Sequence, residues 1–75
     1  LAATLLDNGA QQVLASLWRV DDRATARFMQ HFYRAYARLR GDAAAALQAA
    51  QRASLAEGAP ARHWAAFVLV GQPPA

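Results

Sequence analysis

The sequence predicts an α/β fold in which two buried strands are separated along the chain by a pair of antiparallel helices. Two short runs are apolar on both alternating faces, and the region between them has helical periodicity. The composition is 56% hydrophobic and only 17% charged, which is typical of an ordered, largely buried segment. Runs that are apolar on both faces are typical of interior strands that are covered on both sides.

The first of these strands is predicted over Val13 to Trp18, and we interpret the segment before it as the end of a helix. The run Leu1 to Leu6 is followed by Asn8-Gly9. These two residue types often stop a helix, because they adopt the left-handed conformation at low cost. Since the chain then begins within an element, we expect it to be a fragment of a longer domain.

A long amphipathic helix is predicted from about Arg23 to Leu39. Asp21 and Asp22 precede it and are candidate N-caps, because a short carboxylate accepts hydrogen bonds from the first helical turn. At 100° per residue, one face of the helix is apolar and the opposite face is basic. The apolar face contains Phe28, Phe32, Ala35, Tyr36 and Leu39, and the basic face contains Arg23, Arg27, Arg34 and Arg38.

A second helix and a final strand complete the predicted order of helix, strand, helix, helix, strand. Gly41 ends the first helix, and an Ala-rich helix capped by Asp42 runs to about Ala56. The final strand is predicted over Trp64 to Val70 and stops at Gly71. Because two antiparallel helices lie between the strands, their parity favours a last strand that is antiparallel to the first.

Two strands with two apolar faces do not form a stable sheet by themselves. We therefore expect more sheet elsewhere; the alternative is a small self-sufficient domain, for example a dimer. Alone, the chain is expected to be marginally stable or to self-associate, because it would expose an apolar face and a free strand edge.

Four motifs carry a resemblance to a known family. They are Asn8 to Asp22, with its Ala15-Ser16-Leu17-Trp18 strand end and Val20-Asp21-Asp22 loop; Ala24-Thr25-Ala26 with Phe28 to Tyr33; Ala46 to Gln51; and His63 to Gly71. In this order they resemble the last part of the CHAT domain, a caspase-like and separase-like family of cysteine peptidases.

The resemblance implies that residues 1–75 are the C-terminal portion of one caspase-like three-layer α/β/α sandwich, equivalent to a caspase small subunit. It also implies a larger parent protein, with tetratricopeptide or other sensor modules. The catalytic His and Cys of the family lie upstream of these motifs. Since the chain has no Cys, it supplies no thiolate nucleophile, and we assign it no catalytic residue.

Four residues are candidates for binding substrate. Asp21 and Asp22 follow the C-terminal end of an interior strand, where α/β sheets commonly bind ligands. Resemblance to the separase-like branch implies an acidic pocket there, with a preference for Arg before the scissile bond. Of the two carboxylates, Asp22 is the favoured pocket residue; the alternative is that both carboxylates only cap the helix. Ser16 and Trp18 are candidate cleft residues, although Trp18 is more often a core residue, whose indole N–H then needs a partner.

The remaining features favour structural roles. His31 and His63 form no local ligand pattern, so no metal or cofactor is predicted. The arginine face favours a solvated surface, and nucleic-acid binding is disfavoured because no aromatic residue interleaves the arginines. The longest apolar stretch is too short to span a membrane, and a cytoplasmic location is expected.

Two functions remain open at this point. The first is a fragment of a bacterial cysteine endopeptidase that acts on a protein or peptide substrate. The alternative is a non-catalytic protein-interaction or scaffold module. A His loop and a Cys strand end before Leu1 would distinguish the first from the second.

Overall fold

The computed structural model of the chain describes residues 3–7 and 11–71. In these residues the elements, in chain order, are β1 (Ala3–Asp7), β2 (Gln11–Ser16), α1 (Asp22–Arg38), α2 (Ala43–Ala56), α3 (Ala61–Trp64) and β3 (Phe67–Gly71). The described strands form one sheet of order β1-β2-β3, and both neighbouring pairs are antiparallel. The predicted α/β class is confirmed.

The pairing of β2 with β3 confirms the predicted relation between the interior strand and the final strand. It runs from Gln12 opposite Gly71 to Ser16 opposite Phe67. β2 is the central strand of the described sheet, as predicted for an interior strand. It ends at Ser16, so the last two residues of the predicted Val13 to Trp18 strand lie in the following loop.

The helix predicted over Leu1 to Leu6 is wrong, because Ala3–Asp7 forms β1. This strand pairs with β2 from Ala3 opposite Ala15 to Asp7 opposite Gln11. The pairing supplies partners for backbone N–H and C=O groups along the edge of β2 that faces away from β3. Asn8-Gly9 lies outside the described residues, but such a pair is as typical of a strand-to-strand turn as of a helix end.

The final strand begins later than predicted, at Phe67 instead of Trp64. Trp64 belongs to α3, which starts after Pro60, a residue whose fixed φ suits the beginning of a helix. The Trp64 indole Nε1 donates to the Ala59 carbonyl oxygen at 3.1 Å and so holds this helical turn. An apolar run by itself does not distinguish a short helical turn from a strand.

The core lies between the sheet and the two long helices. Phe28 and Phe32, both from α1, have the largest fully buried side chains among the described residues. The Phe28 ring stacks on Phe67 of β3, with ring centroids 4.1 Å apart and an interplanar angle of 4°. The rest of the core is aliphatic and small: Leu6, Leu14, Ala35, Ala43, Ala46, Ala50 and Ala66. Alanines on α2 allow that helix to lie close to its neighbours, and the predicted apolar face of α1 is confirmed.

The opposite face of the sheet carries a different set of residues, which we call the outer face: Val13, Ala15, Val68 and Val70. None of them belongs to the core cluster, because alternate side chains of a strand point to opposite faces. Val70 is 56% exposed. The core cluster and the residues packed against it include both long helices but no outer-face residue, so the described helices form one of the two helical layers that a three-layer sandwich requires. On the outer face itself, Ala15 is 7% exposed and Val13 and Val68 are half-buried.

The two long helices end in the same hydrogen-bonding motif with different residues at its left-handed position. After α1 this position is Arg40, with a φ of 56°, and after α2 it is Gly58, with a φ of 80°. In both cases the next residue donates back into the last turn, Gly41 to the Tyr36 carbonyl at 2.9 Å and Ala59 to the Ser54 carbonyl at 3.0 Å. This is the Schellman arrangement, which favours glycine because a Cβ is strained at positive φ.

We predict opposite effects from exchanging residue types at these two positions. Arg40→Gly should stabilise the chain by about 0.5 to 1 kcal/mol, since relief of strain exceeds the extra entropy that glycine gives the unfolded chain. Gly58→Ala should destabilise by about 1 kcal/mol. A Cβ at Gly58 would meet no atom within 4 Å, so its cost is conformational and not steric. Urea unfolding of both variants measures this; equal signs would contradict the prediction.

Candidate functional site

The loop after β2 is tied to the segment just before β3. The Leu17 backbone N–H donates to the Ala66 carbonyl oxygen at 2.8 Å. The Trp18 indole Nε1 donates to the Arg62 carbonyl oxygen at 3.0 Å. Because β2 and β3 are antiparallel, the C-terminal end of β2 meets the beginning of β3, and α3 is therefore brought beside this loop.

A cleft of about 170 Å³ lies between the loop and α3. Its lining residues come from both segments: Trp18, Arg19, Val20, Asp21, Arg62 and His63. The cleft is at the C-terminal end of the central strand, which is where the sequence predicts substrate contacts and where α/β sheets commonly bind ligands.

Asp21 has two roles in this arrangement. Its Oδ1 accepts a hydrogen bond from the Ala24 backbone N–H at 2.9 Å, which makes Asp21 the N-cap of α1. Its Oδ2 lies 3.6 Å from Nε2 of His63, and the Asp21 side chain is 62% exposed. The cap prediction is thus confirmed for Asp21, and one carboxylate oxygen remains directed to the cleft side. Asp22 is the first residue of α1, is exposed, and does not line the cleft.

The other two candidates differ in position. Trp18 lines the cleft and is 43% exposed, so the alternative interpretation of Trp18 as a core residue is wrong. The expectation that its indole N–H has a partner is met by the Arg62 carbonyl. Ser16 is 5% exposed at the end of β2 and is not among the cleft residues.

The cleft is lined by two arginines and one carboxylate. Arg19 and Arg62 are both exposed, and neither forms an ion pair with Asp21 in the described part of the chain. Among the described residues, the one cationic side chain within 4 Å of the Asp21 carboxylate is His63, whose charge depends on protonation. In the described part of the chain, no arginine therefore neutralises this carboxylate through an ion pair.

His63 is the cleft residue to which the sequence assigns no role. Its side chain is 26% exposed and reaches Asp21 across the gap between α3 and the loop. No local spacing links the two residues, because they are separated by both long helices. One signal in the sequence could have identified His63: it lies just before the final strand. In an antiparallel pair, the start of that strand lies beside the end of the interior strand.

Comparison with protein-family models gives a match to the CHAT domain over residues 1–72. The chain belongs to the CHAT domain family. The resemblance carried by the four sequence motifs is thereby confirmed. Comparisons with curated proteins and with solved structures find no match for this chain.

In this CHAT domain segment, several motif residues hold elements together. Trp18 joins the loop after β2 to α3, Trp64 closes α3 onto Ala59, and Phe67 stacks on Phe28.

In the described residues no three His, Asp or Glu side chains come together as a possible metal site. No helix described by the structure has both the length and the apolar character needed to cross a membrane.

A second charged cluster joins the end of α2 to α1. Glu57 accepts from Arg27 through both carboxylate oxygens, at 3.2 Å from Nε and 2.8 Å from Nη2. The Nε2 atom of His31 lies 3.1 Å from the Glu57 Oε1. The hydrogen bonds from Arg27, and then the contact with His31, lower the pKa of Glu57 from 4.5 to about 2.

The lowered pKa of Glu57 predicts that the free energy of unfolding decreases as the pH falls into the acidic range. The pKa of Glu57 is lower in the folded chain, so its stabilising contribution is present above pH 4.5 and is lost as the pH falls from 4.5 through about 2. Glu57→Gln should therefore be less stable than the parent chain at neutral pH, and the two should converge as the pH approaches 2.

Urea unfolding at several pH values tests this prediction. Arg27→Gln is the matched control, because it removes the main partner and should weaken the same acid dependence while leaving Glu57 in place. A difference between Glu57→Gln and the parent that is constant from neutral pH to pH 2 would contradict the lowered pKa.

Proposed function

We propose that this chain is the C-terminal part of a caspase-like and separase-like cysteine endopeptidase domain, and that it supplies the substrate-pocket loop. The observation that carries the proposal is the position of Asp21. In a CHAT domain segment, Asp21 lines a cleft at the C-terminal end of the central strand, and its Oδ2, which the helix cap does not use, lies 3.6 Å from Nε2 of His63. A cleft at this position suits the side chain that precedes a scissile peptide bond.

The chemistry of the reaction needs groups that this chain does not carry. A cysteine peptidase attacks the substrate carbonyl with a thiolate that a His activates, and the sequence contains no Cys. In the proposal, both catalytic groups come from the upstream half of the domain, and this chain alone is inactive. Its contribution is to bind and orient the substrate.

The pocket chemistry favours a basic substrate residue. The Asp21 carboxylate can accept charge-assisted hydrogen bonds from a guanidinium or ammonium group. The half-exposed indole of Trp18 lies in the same cleft and offers apolar surface for the methylene groups of Arg or Lys. Because Oδ1 of Asp21 is held by the helix cap, Oδ2 keeps a fixed direction before substrate arrives.

The proposal also includes the setting of the domain. The upstream half would cover the outer face of the sheet, since apolar sheet faces are stable only when covered. A bacterial parent protein with tetratricopeptide or other sensor modules is part of the same proposal and rests on the CHAT resemblance alone. The cytoplasmic location that the sequence predicts is included in the proposal.

The alternative is a non-catalytic interaction or scaffold module. Two observations favour it: Asp21 already has a structural role as a cap, and Arg19 and Arg62 place positive charge in the same cleft. The two functions differ in what lies upstream, because only the peptidase requires a His loop and a Cys at a strand end.

The peptidase proposal predicts a difference between the two neighbouring carboxylates. In the intact domain, Asp21→Asn should reduce cleavage after Arg or Lys by at least about tenfold, because a bound cation loses its charged partner. Stability should change by less than about 0.5 kcal/mol, since Asn caps a helix nearly as well as Asp. Asp22→Asn is the matched control, with the same charge change outside the cleft, and should have a smaller effect.

Peptide-library cleavage by the parent and both variants measures this preference. A preference for acidic or apolar residues before the cut, or the same preference in the parent and both variants, would remove the acidic pocket and leave Asp21 as a cap.

The uncovered outer face predicts self-association of the isolated chain. Val68→Thr with Val70→Thr should shift sedimentation equilibrium toward monomer, because threonine keeps strand propensity while removing apolar surface. Leu55→Gln is the control, since Leu55 is 63% exposed but lies on α2. A cooperatively folded monomer of the parent chain at micromolar concentration would contradict the prediction.

A further inference from the structure

The side of α1 that faces away from the core carries a line of cations that the proposed cleft does not use. We call it the arginine row, and its members are Arg23, Arg27, Arg34 and Arg38. All four are exposed and lie within about 60° of one another around the helix. At 1.5 Å per residue, the row extends over about 22 Å.

Most of this charge has no ion-pair partner among the residues that the structure describes. In residues 3–7 and 11–71, Arg27 forms an ion pair with Glu57, whereas Arg23, Arg34 and Arg38 form none. The row also contains like charges four residues apart, Arg23 with Arg27 and Arg34 with Arg38. Such pairs destabilise an isolated helix. An acidic surface placed against the row would relieve this repulsion.

We propose that the arginine row is a docking surface for an acidic helix of a protein partner. The row follows one face of α1 with helical spacing, so carboxylates on one face of a second helix can meet successive guanidinium groups. Arginine suits this role, because its planar group binds a carboxylate through two hydrogen bonds. No member of the row lines the cleft, and the proposal is therefore independent of peptidase activity.

The observations favour a protein helix over nucleic acid. The aromatic residues Phe28 and Phe32 of the same helix are buried, and exposed Tyr33 lies about 80° or more from every member of the row. A base-stacking platform is therefore missing from the row itself.

A binding measurement with the full chain tests this inference. The probe is a synthetic helical peptide of Glu and Ala, with glutamates on one face at four-residue and three-residue intervals, and a scrambled peptide of the same composition is its control. Arg34→Gln with Arg38→Gln should weaken binding of the helical peptide by about tenfold at low salt. Arg52→Gln with Arg62→Gln removes the same charge outside the row and should weaken binding by less than about threefold.

The expected result is this difference between the two variants, with affinity that falls as salt increases. Equal weakening by both pairs of substitutions would show that net charge alone attracts the peptide, and would overturn the inference. Binding of the scrambled peptide with the same affinity would overturn it as well. If a duplex DNA of similar length bound more tightly than the helical peptide, the inference would also be overturned, because the row would then favour nucleic acid over an acidic helix.

Discussion

The structure depends above all on the antiparallel pairing of β2 with β3. This pairing joins the two apolar runs of the sequence and fixes the direction in which the chain must return. Two helices of comparable length are needed between the strands, since one helix would leave the chain at the wrong end of the sheet. Phe28 of α1 stacks on Phe67 at the beginning of β3, and this contact holds the helix layer to the strand that closes the sheet.

The cleft is a direct consequence of the same pairing. The end of β2 and the start of β3 lie at the same end of the sheet. The loop after β2 therefore meets α3, the short helix before β3. Asp21 is therefore both the N-cap of α1 and a lining residue of this cleft. A carboxylate with one oxygen held by the backbone loses little conformational freedom on binding a cation, which is the advantage of preorganisation.

The sequence predicts those parts of the fold that depend on local rules. The N-cap Asp42 and the bounds of both long helices follow from capping and periodicity, and the structure confirms them within about one residue. For α1 the sequence offers both Asp21 and Asp22 as caps, and the structure selects Asp21. The sequence does not predict β1 or α3, because the secondary structure of each depends on contacts with other segments. β1 is a strand because it pairs with β2, and α3 is held by the contact of Trp64 with Ala59. The position of His63 beside Asp21 depends on sheet topology, and no local pattern reports it.

The layers of the structure separate two surfaces with different physical character. The arginine row lies on the side of α1 opposite its core-facing residues, whereas the outer face of the sheet lies on the far side of the strands. The first surface is cationic, and the attraction that it would exert on an acidic partner weakens as salt increases. The second is aliphatic, and salt screening acts on it little. An acidic partner on α1 and a covering layer on the sheet would therefore not compete, and each could be removed by conditions that leave the other in place.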